Sequence, residues 1–269
     1  MTKPSWDKRI ERARELAKTY PFAAESLSFY QEIARFQKGL YNYLTTSKYA
    51  PSENTGTTEE SLDLFLLLPQ FPILLGMVKN TAPSALASSA EELGHRGPNY
   101  WGTLLTDYWT SGASDSNGDS APHIFFAHAF LQAHAEYLAE RAEIPQRDNA
   151  SATCPYCSRK PVVAVLRPEG HGGKRSLICS LCSTEWEYRR LLCASCGEEG
   201  VTQLPVYSAS EFQHVRVDAC DTCKTYMKTV DLTKDGLAVP AVDELATTPL
   251  NLWAEEHGYA KLELNLLGM

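Results

Sequence analysis

All eight cysteines of this chain lie between residues 154 and 223, and they form four Cys-x-x-Cys pairs. Two cysteines three positions apart can direct both thiolates at one metal ion, and two such pairs complete a tetrahedral site. Sites with four thiolates bind zinc or a single iron ion. The sequence therefore predicts two metal ions per chain, iron or zinc. The predicted ligands are Cys154, Cys157, Cys179, Cys182, Cys193, Cys196, Cys220 and Cys223.

The spacing of the pairs indicates which of them share an ion. Twenty-one residues separate Cys157 from Cys179, and twenty-three separate Cys196 from Cys220. Only ten residues separate the second pair from the third. The two long gaps match the ribbon pattern, in which two metal-binding turns flank a β-hairpin. We therefore predict sequential pairing of first with second and third with fourth. The alternative is a cross-braced arrangement of first with third and second with fourth.

A disulfide framework and thiol–disulfide chemistry are the competing interpretations of the cysteines. The first residues lead into a charged amphipathic segment without an apolar stretch, so we expect a cytoplasmic protein whose thiols stay reduced. A redox Cys-x-x-Cys motif normally occurs once, near a βαβ pattern, and four copies in tandem fit that role poorly.

Charge and hydropathy bear on the possible partners. The net charge is −8, and residues 151–235 contain eleven Lys and Arg against ten Asp and Glu. A nucleic-acid-binding ribbon usually has a basic stripe, so we expect no nucleic acid partner. The most apolar run, residues 62–78, contains Asp63, Pro69 and Pro72. We interpret it as short buried helices and expect no membrane insertion.

Hydrophobic periodicity predicts an α+β chain. Residues 1–148 form an all-helical domain, in which Ser5 caps the first helix and a stripe from Phe29 to Tyr43 marks the second. Two tandem zinc-ribbon-like modules follow at residues 149–190 and 191–236, and a C-terminal helical tail at residues 237–269. The predicted strands are residues 162–166, 176–178, 204–207 and 214–217, with a connector at 184–192 and a last helix at about 242–257.

Few other side chains indicate chemistry. His123, His128 and His134 share one predicted helix, but spacings of five and six do not put them on one face, so we expect them to serve packing. We identify no catalytic residues. Trp186 and Tyr188 are expected to pack between the modules. The residues after the last cysteine pair have two possible roles, covering the ribbon or contacting a partner. These residues are Tyr226, Lys228 and Asp231.

Several motifs together resemble the formate dehydrogenase accessory (formation) protein family. They are the runs Cys154–Cys157, Leu177–Trp186, Arg190–Gly197, Ala219–Asp231, Asp243–Ala246, Asn251–Gly258 and Asn265–Gly268. The resemblance covers residues 154–268 and rests on layout alone in the helical part. It implies an N-terminal helical domain followed by two rubredoxin-like modules. It implies an assembly factor, or chaperone, that is not itself an enzyme and that serves a molybdenum- or tungsten-dependent formate dehydrogenase.

The resemblance also implies a mode of action and a site. The protein would bind the catalytic subunit of the dehydrogenase and hold iron in the eight-cysteine sites. We expect the partner surface near Trp186, Tyr226, Lys228 and Asp231. The alternatives are a zinc-ribbon nucleic-acid-binding protein and a rubredoxin-like electron carrier.

Overall fold

The computed structural model describes residues 6–47, 57–111, 121–145, 148–169 and 172–269. These residues form two compact units. One unit comprises residue 6 and residues 29–144, and the other comprises residues 7–28 and 145–269. The predicted α+β class, with helices first and a sheet after them, is confirmed. The grouping of residues 7–28 with the C-terminal part was not anticipated. The four-domain division at 148, 190 and 236 stays a prediction, and the cap at Ser5 lies outside the described residues.

The helical unit packs around an aromatic core. Its helices are α2 (Ala24–Thr46, from residue 29 onward), α3 (Leu64–Leu67), α4 (Phe71–Thr81), α5 (Ser84–Ser111) and α6 (Ala121–Arg141). The ring of Phe71 is fully buried, and its centroid lies 5.1 Å from that of Phe130 and 5.6 Å from that of Trp101. On α2 the predicted stripe buries Ile33 and Leu40 almost completely. Burial of such side chains is what stabilises an amphipathic helix.

Helix α5 is interrupted near its middle. Gly97 has a φ of 80°, and Pro98 follows it. Proline restricts the preceding residue and cannot donate a backbone hydrogen bond, and glycine adopts this φ without strain. The helix therefore kinks at Gly97.

The apolar run in the helical unit was predicted to be buried core, and the structure bears this out in part. Residues Glu59–Thr81 are long and apolar enough to cross a membrane by length and composition, and 39% of the most apolar 18-residue stretch within them is buried. In the structure, short helices divide this segment near Pro69. Leu67 and Leu74 are fully buried, whereas Phe65 is 94% exposed. This one segment is weak evidence for a membrane span.

The three histidines of α6 pack against neighbouring groups, as predicted. His123 Nδ1 lies 2.9 Å from the Tyr100 hydroxyl, and His128 stacks on a tyrosine ring. His134 Nε2 lies 3.0 Å from the carbonyl oxygen of Ser61. Because His134 is fully buried, desolvation lowers its pKa to about 4.

One seven-stranded sheet carries both cysteine regions. Its strands are β1 (Pro161–Glu169), β2 (Gly172–Cys179), β3 (Glu185–Glu187), β4 (Val206–Ser208), β5 (Val215–Cys220), β6 (Thr225–Asp231) and β7 (Ala260–Lys261). The order is β3-β2-β1-β6-β5-β4, with β7 beside β6. The pairs β1–β2 and β5–β6 are antiparallel, whereas residues 164–166 of β1 pair in parallel with residues 229–231 of β6. The two modules therefore share one continuous sheet.

Three helices complete this unit, namely α1 (Trp6–Thr19), α7 (Pro240–Ala246) and α8 (Thr248–Glu256). An apolar core on one sheet face joins Val163, Val217 and Tyr226 to Leu250 and Ala254. The predicted single C-terminal helix is wrong, since α7 and α8 are separated at Thr247. Its ψ of 43° is not helical, and Pro249 in the first turn of α8 lacks the N–H that would continue the hydrogen bonding of α7.

Candidate metal centres

The first cysteine group lies at the base of the β1–β2 hairpin. Cys154 and Cys157 come from a turn before β1, while Cys179 ends β2 and Cys182 follows it. The Cys157 and Cys179 Sγ atoms are 3.3 Å apart, and Cys182 Sγ lies 3.5 Å from both Cys154 Sγ and Cys157 Sγ. All four side chains are buried.

The second group is built in the same way around the antiparallel β4–β5 hairpin. Sγ–Sγ distances of 3.7 Å join Cys193 to Cys223 and Cys196 to Cys220. Here Cys196 is exposed and Cys223 is half-buried. The grouping confirms sequential pairing over the cross-braced alternative.

Four similar turns direct the thiols inward. The residue after each Cys-x-x-Cys pair has a left-handed φ: Ser158 at 60°, Ser183 at 53°, Gly197 at 76° and Lys224 at 56°. In three of the turns the N–H of that residue donates to the carbonyl of the first cysteine, at 3.0, 3.1 and 2.8 Å. Only one of the four is glycine, so the other three residues hold a backbone conformation that L-residues rarely adopt.

The geometry of both groups suits a single metal ion. A tetrahedron with metal–sulfur bonds of about 2.3 Å has sulfur–sulfur edges of about 3.8 Å. The measured Sγ separations of 3.3 to 3.7 Å are close to that size, and none of the eight cysteines is in a disulfide. Each group could therefore hold one ion.

Electrostatics point to the same conclusion. Burial raises the pKa of Cys179 and Cys182 well above the usual thiol value. Such thiols stay protonated when nothing positive lies between them, and a metal ion reverses this by stabilising the thiolates. The first group is therefore a site where metal binding would release protons.

Groups around the sulfurs repeat between the modules. The Thr184 hydroxyl lies 3.1 Å from Cys182 Sγ, and the Thr225 hydroxyl lies 2.9 Å from Cys223 Sγ. Each threonine is the second residue after the last cysteine of its group. Although burial raises the pKa of Cys223, hydrogen bonds from Thr225, Cys196 and Cys220 together outweigh it and lower that pKa to about 6. Hydrogen bonds of this kind orient metal ligands and tune the bound metal.

The four residues predicted as a partner surface lie inside the chain, which corrects that prediction. Trp186 is 8% exposed, Tyr226 2%, Lys228 0% and Asp231 9%. Lys228 lies 2.9 Å from Glu244 in an ion pair, and Trp186 Nε1 donates to a backbone carbonyl at 2.9 Å. Three of the four lie in β6, which the sequence did not predict, because lysine, threonine and aspartate interrupt its apolar alternation. Burial of Trp186 and Tyr188 agrees with their predicted packing role.

One further cluster was not visible in the sequence. Ligand atoms of His214, Asp235 and Asp243 lie within 4.8 Å of one another. Arg12 already occupies this cluster, with Nη2 2.6 Å from Asp243 Oδ1 and 2.7 Å from Asp235 Oδ2. His214 Nε2 lies 2.7 Å from the same Asp243 oxygen. We interpret the cluster as an ion-pair network that fixes α1 to α7, because the guanidinium already satisfies the carboxylates. Arg12 and Asp243 are 231 positions apart, so no local pattern connects them.

Comparisons with known proteins agree with this architecture. Family models described as the FdhE central domain and the FdhE C-terminal domain match residues 153–190 and 191–267. The Protein FdhE homolog of Aquifex aeolicus (strain VF5) is 36% identical over 167 residues, which are 62% of this chain and 57% of that protein. Protein FdhE of Escherichia coli (strain SMS-3-5 / SECEC) is 26% identical over 273 residues, covering 97% of this chain and 86% of that protein.

A solved structure extends the similarity through the helical part. The crystal structure of the FdhE protein from Pseudomonas aeruginosa aligns with a TM-score of 0.77 and 25% sequence identity. The alignment covers 99% of this chain and 97% of that chain. Taken with the two family models, it shows that the chain belongs to the FdhE family, the formate dehydrogenase accessory (formation) proteins.

Proposed function

We propose that this protein is a maturation factor for formate dehydrogenase and that it acts by binding the catalytic subunit of that enzyme. Family membership supports the choice of enzyme. The observation that carries the proposal is the pair of four-cysteine groups on one shared sheet, in a chain that aligns with FdhE proteins along nearly its whole length.

The eight cysteines are the metal ligands in this proposal, and the metal is iron or zinc. Four protein thiolates complete the coordination of a tetrahedral ion and leave no position for water or substrate. Hydrolytic metal catalysis needs such an open position. The coordination therefore supports a role in binding a client protein and not in turning over a substrate.

The proposed location is the cytoplasm. The eight cysteines form no disulfide and lie in two groups of four. Such thiols suit a reducing compartment, where they remain available to bind metal. A maturation factor there would meet the catalytic subunit before the enzyme is complete.

Affinity purification tests the client. The full-length protein, tagged and expressed in its own host during growth on formate, should retain the catalytic subunit, identified by mass spectrometry. The tag alone and a tagged unrelated iron protein of similar size are the controls. The proposed binding would be contradicted if the controls retained as much of the subunit as the tagged protein does, or if the subunit were absent from every preparation.

Electron transfer is a second candidate, and one observation favours it. Cys196 brings the second group to the surface, and a tetrathiolate iron exposed at one ligand can exchange electrons without an open coordination position. Iron-loaded protein should then show visible thiolate-to-iron absorption that bleaches on reduction and returns in air. Zinc as the native metal, established by elemental analysis, would exclude this role.

A further inference from the structure

A pocket of about 410 Å³ lies beside the second cysteine group. Cys193 and Cys220 contribute to its wall, together with Arg175, Arg190 and Arg216. Its volume is within the range of roughly 300–1,000 Å³ that is usual for small-molecule sites.

The arginine-bearing wall of the pocket lies on the sheet face opposite the apolar core. Val215 and Val217 of β5 belong to the core with Leu250 of α8. Successive side chains of a strand point to opposite faces, so Arg216 and Asp218 face the other side. Polar side chains thus converge on a sheet face that helix α8 does not cover.

Arg175 is a buried guanidinium with an unused donor. The residue Arg175 is 5% exposed. One terminal nitrogen donates to the carbonyls of Arg189 and Leu192 at 3.1 and 3.3 Å, and the other lies 3.4 Å from Asp218 Oδ2. Its Nε has no hydrogen-bond partner among the described residues. An unsatisfied buried donor, more so a charged one, costs free energy that a bound acceptor would recover.

The carboxylate in the pocket is already engaged. Asp218 is the one acidic side chain in the wall, against three arginines. It accepts from Arg216 Nε at 2.8 Å and from the Thr229 hydroxyl at 2.7 Å. A metal ion with four thiolates would add negative charge at one end of the pocket and offset part of the attraction for anions. The unused donor of Arg175 and the exposed Arg190, more than the net charge, therefore favour an anionic ligand.

We propose that this pocket binds a small molecule with an oxyanion head, carboxylate or phosphate, and an apolar body. Guanidinium groups form charge-assisted, often bidentate hydrogen bonds with both head groups. Leu192, Leu204 and Met227 line the same pocket and would contact the apolar body. The site goes beyond the proposed function and does not depend on it.

Calorimetric titration of the full-length, metal-loaded protein tests the site with three probes that share one alkyl chain. The probes are hexanoate, hexyl phosphate and the neutral hexanol. At least one anion should bind saturably while hexanol does not, and the preferred anion identifies the head group. Arg190→Gln and Arg216→Gln should each weaken that binding about tenfold or more, since each removes a charge-assisted hydrogen bond to the bound anion.

The matched control is Arg167→Gln. Arg167 is an exposed arginine of the same unit that pairs with Glu185 outside the pocket, so its variant should bind like the unaltered protein. Arg190 is also exposed, so its variant should fold normally, as circular dichroism can confirm. The proposal would be overturned if neither anion bound saturably at concentrations up to about 10 mM, which is enough to detect a Kd of about 1 mM. Binding of the anion by the Arg190→Gln and Arg216→Gln variants as tight as that by the unaltered protein would also overturn it.

Discussion

The two cysteine groups have the same ligands and the same turns but different surroundings. All four cysteines of the first group are buried, whereas Cys196 of the second is exposed and Cys223 is half-buried. Access of water, chelators and electrophiles to the sulfurs controls how readily such a site exchanges its metal ion and how readily its cysteines are oxidised. The first group therefore suits a purely structural ion and the second an exchangeable one.

A competing chelator should accordingly remove the two metal ions in separate phases. The second site should empty first, because solvent reaches its ligands. Iodoacetamide added after the fast phase should modify Cys196 and Cys223, and peptide mapping identifies the sites. Cysteines of the first group should react only once the protein is unfolded in denaturant. Release of both ions in one phase, or earlier modification of Cys154 and Cys157, would contradict this assignment.

His134 gives the helical unit a pH-dependent stability. Its pKa falls from 6.5 to about 4 on folding because the imidazole is buried. Between these values the unfolded chain binds a proton that the folded chain does not, so stability is lost as pH falls through this range. Between about pH 7 and about pH 4.5 the loss from this residue should be about 2.5 kcal/mol.

Urea unfolding of the full-length protein, followed by tryptophan fluorescence at both pH values, measures this loss. The His134→Gln variant should lose less stability on acidification than the unaltered protein. The variant of the exposed His95, His95→Gln, should lose as much as the unaltered protein. An identical pH dependence in all three proteins would show that His134 does not hold a depressed pKa.

Among the elements, β6 and α7 contain what sequence reasoning could not supply. The hairpins could be predicted because each is bounded by cysteine pairs at ribbon spacing. The parallel pairing of β1 with β6 could not, because it joins residues about sixty-five positions apart across the two modules. Nor could the buried ion pairs of Lys228, Glu244 and Lys261, because they join three separate elements, β6, α7 and β7. Glu244 Oε1 lies 2.9 Å from Lys228 Nζ and 2.5 Å from Lys261 Nζ, and all three side chains are at most 4% exposed.

This arrangement predicts an order of destabilisation. Glu244→Gln leaves two buried ammonium groups without a carboxylate, whereas Lys228→Met leaves the Glu244–Lys261 pair intact. Breaking a buried ion pair costs about 3–5 kcal/mol. Glu244→Gln should reach or exceed that cost, and Lys228→Met should cost less.

Denaturant unfolding of the metal-loaded protein, monitored by circular dichroism, compares the two variants. Lys174→Met is the control, because Lys174 pairs with Glu187 at the surface and its loss should have a small effect. Equal destabilisation by Glu244→Gln and Lys228→Met would mean that Lys261 does not share the carboxylate.

The molecule as a whole combines a helical unit with a sheet unit that contains both cysteine groups, and the N-terminal residues 7–28 belong to the latter. The network of Arg12 with Asp235 and Asp243 accounts for this assignment, and only the folded chain reveals it. The predicted partner surface failed for a related reason. Proximity to a cysteine pair in the chain does not indicate whether a residue of β6 faces solvent or a covering helix.

Formate oxidation in a strain that lacks the gene tests the central claim most directly. The deletion strain should still synthesise the catalytic subunit, as an immunoblot can show, but should fail to reduce an artificial dye with formate. The unaltered gene on a plasmid should restore the activity, and the Cys179→Ser variant should not, because it removes a ligand from the buried first group. Full formate dehydrogenase activity in the deletion strain, with no second copy of the gene present, would contradict the proposed role in maturation.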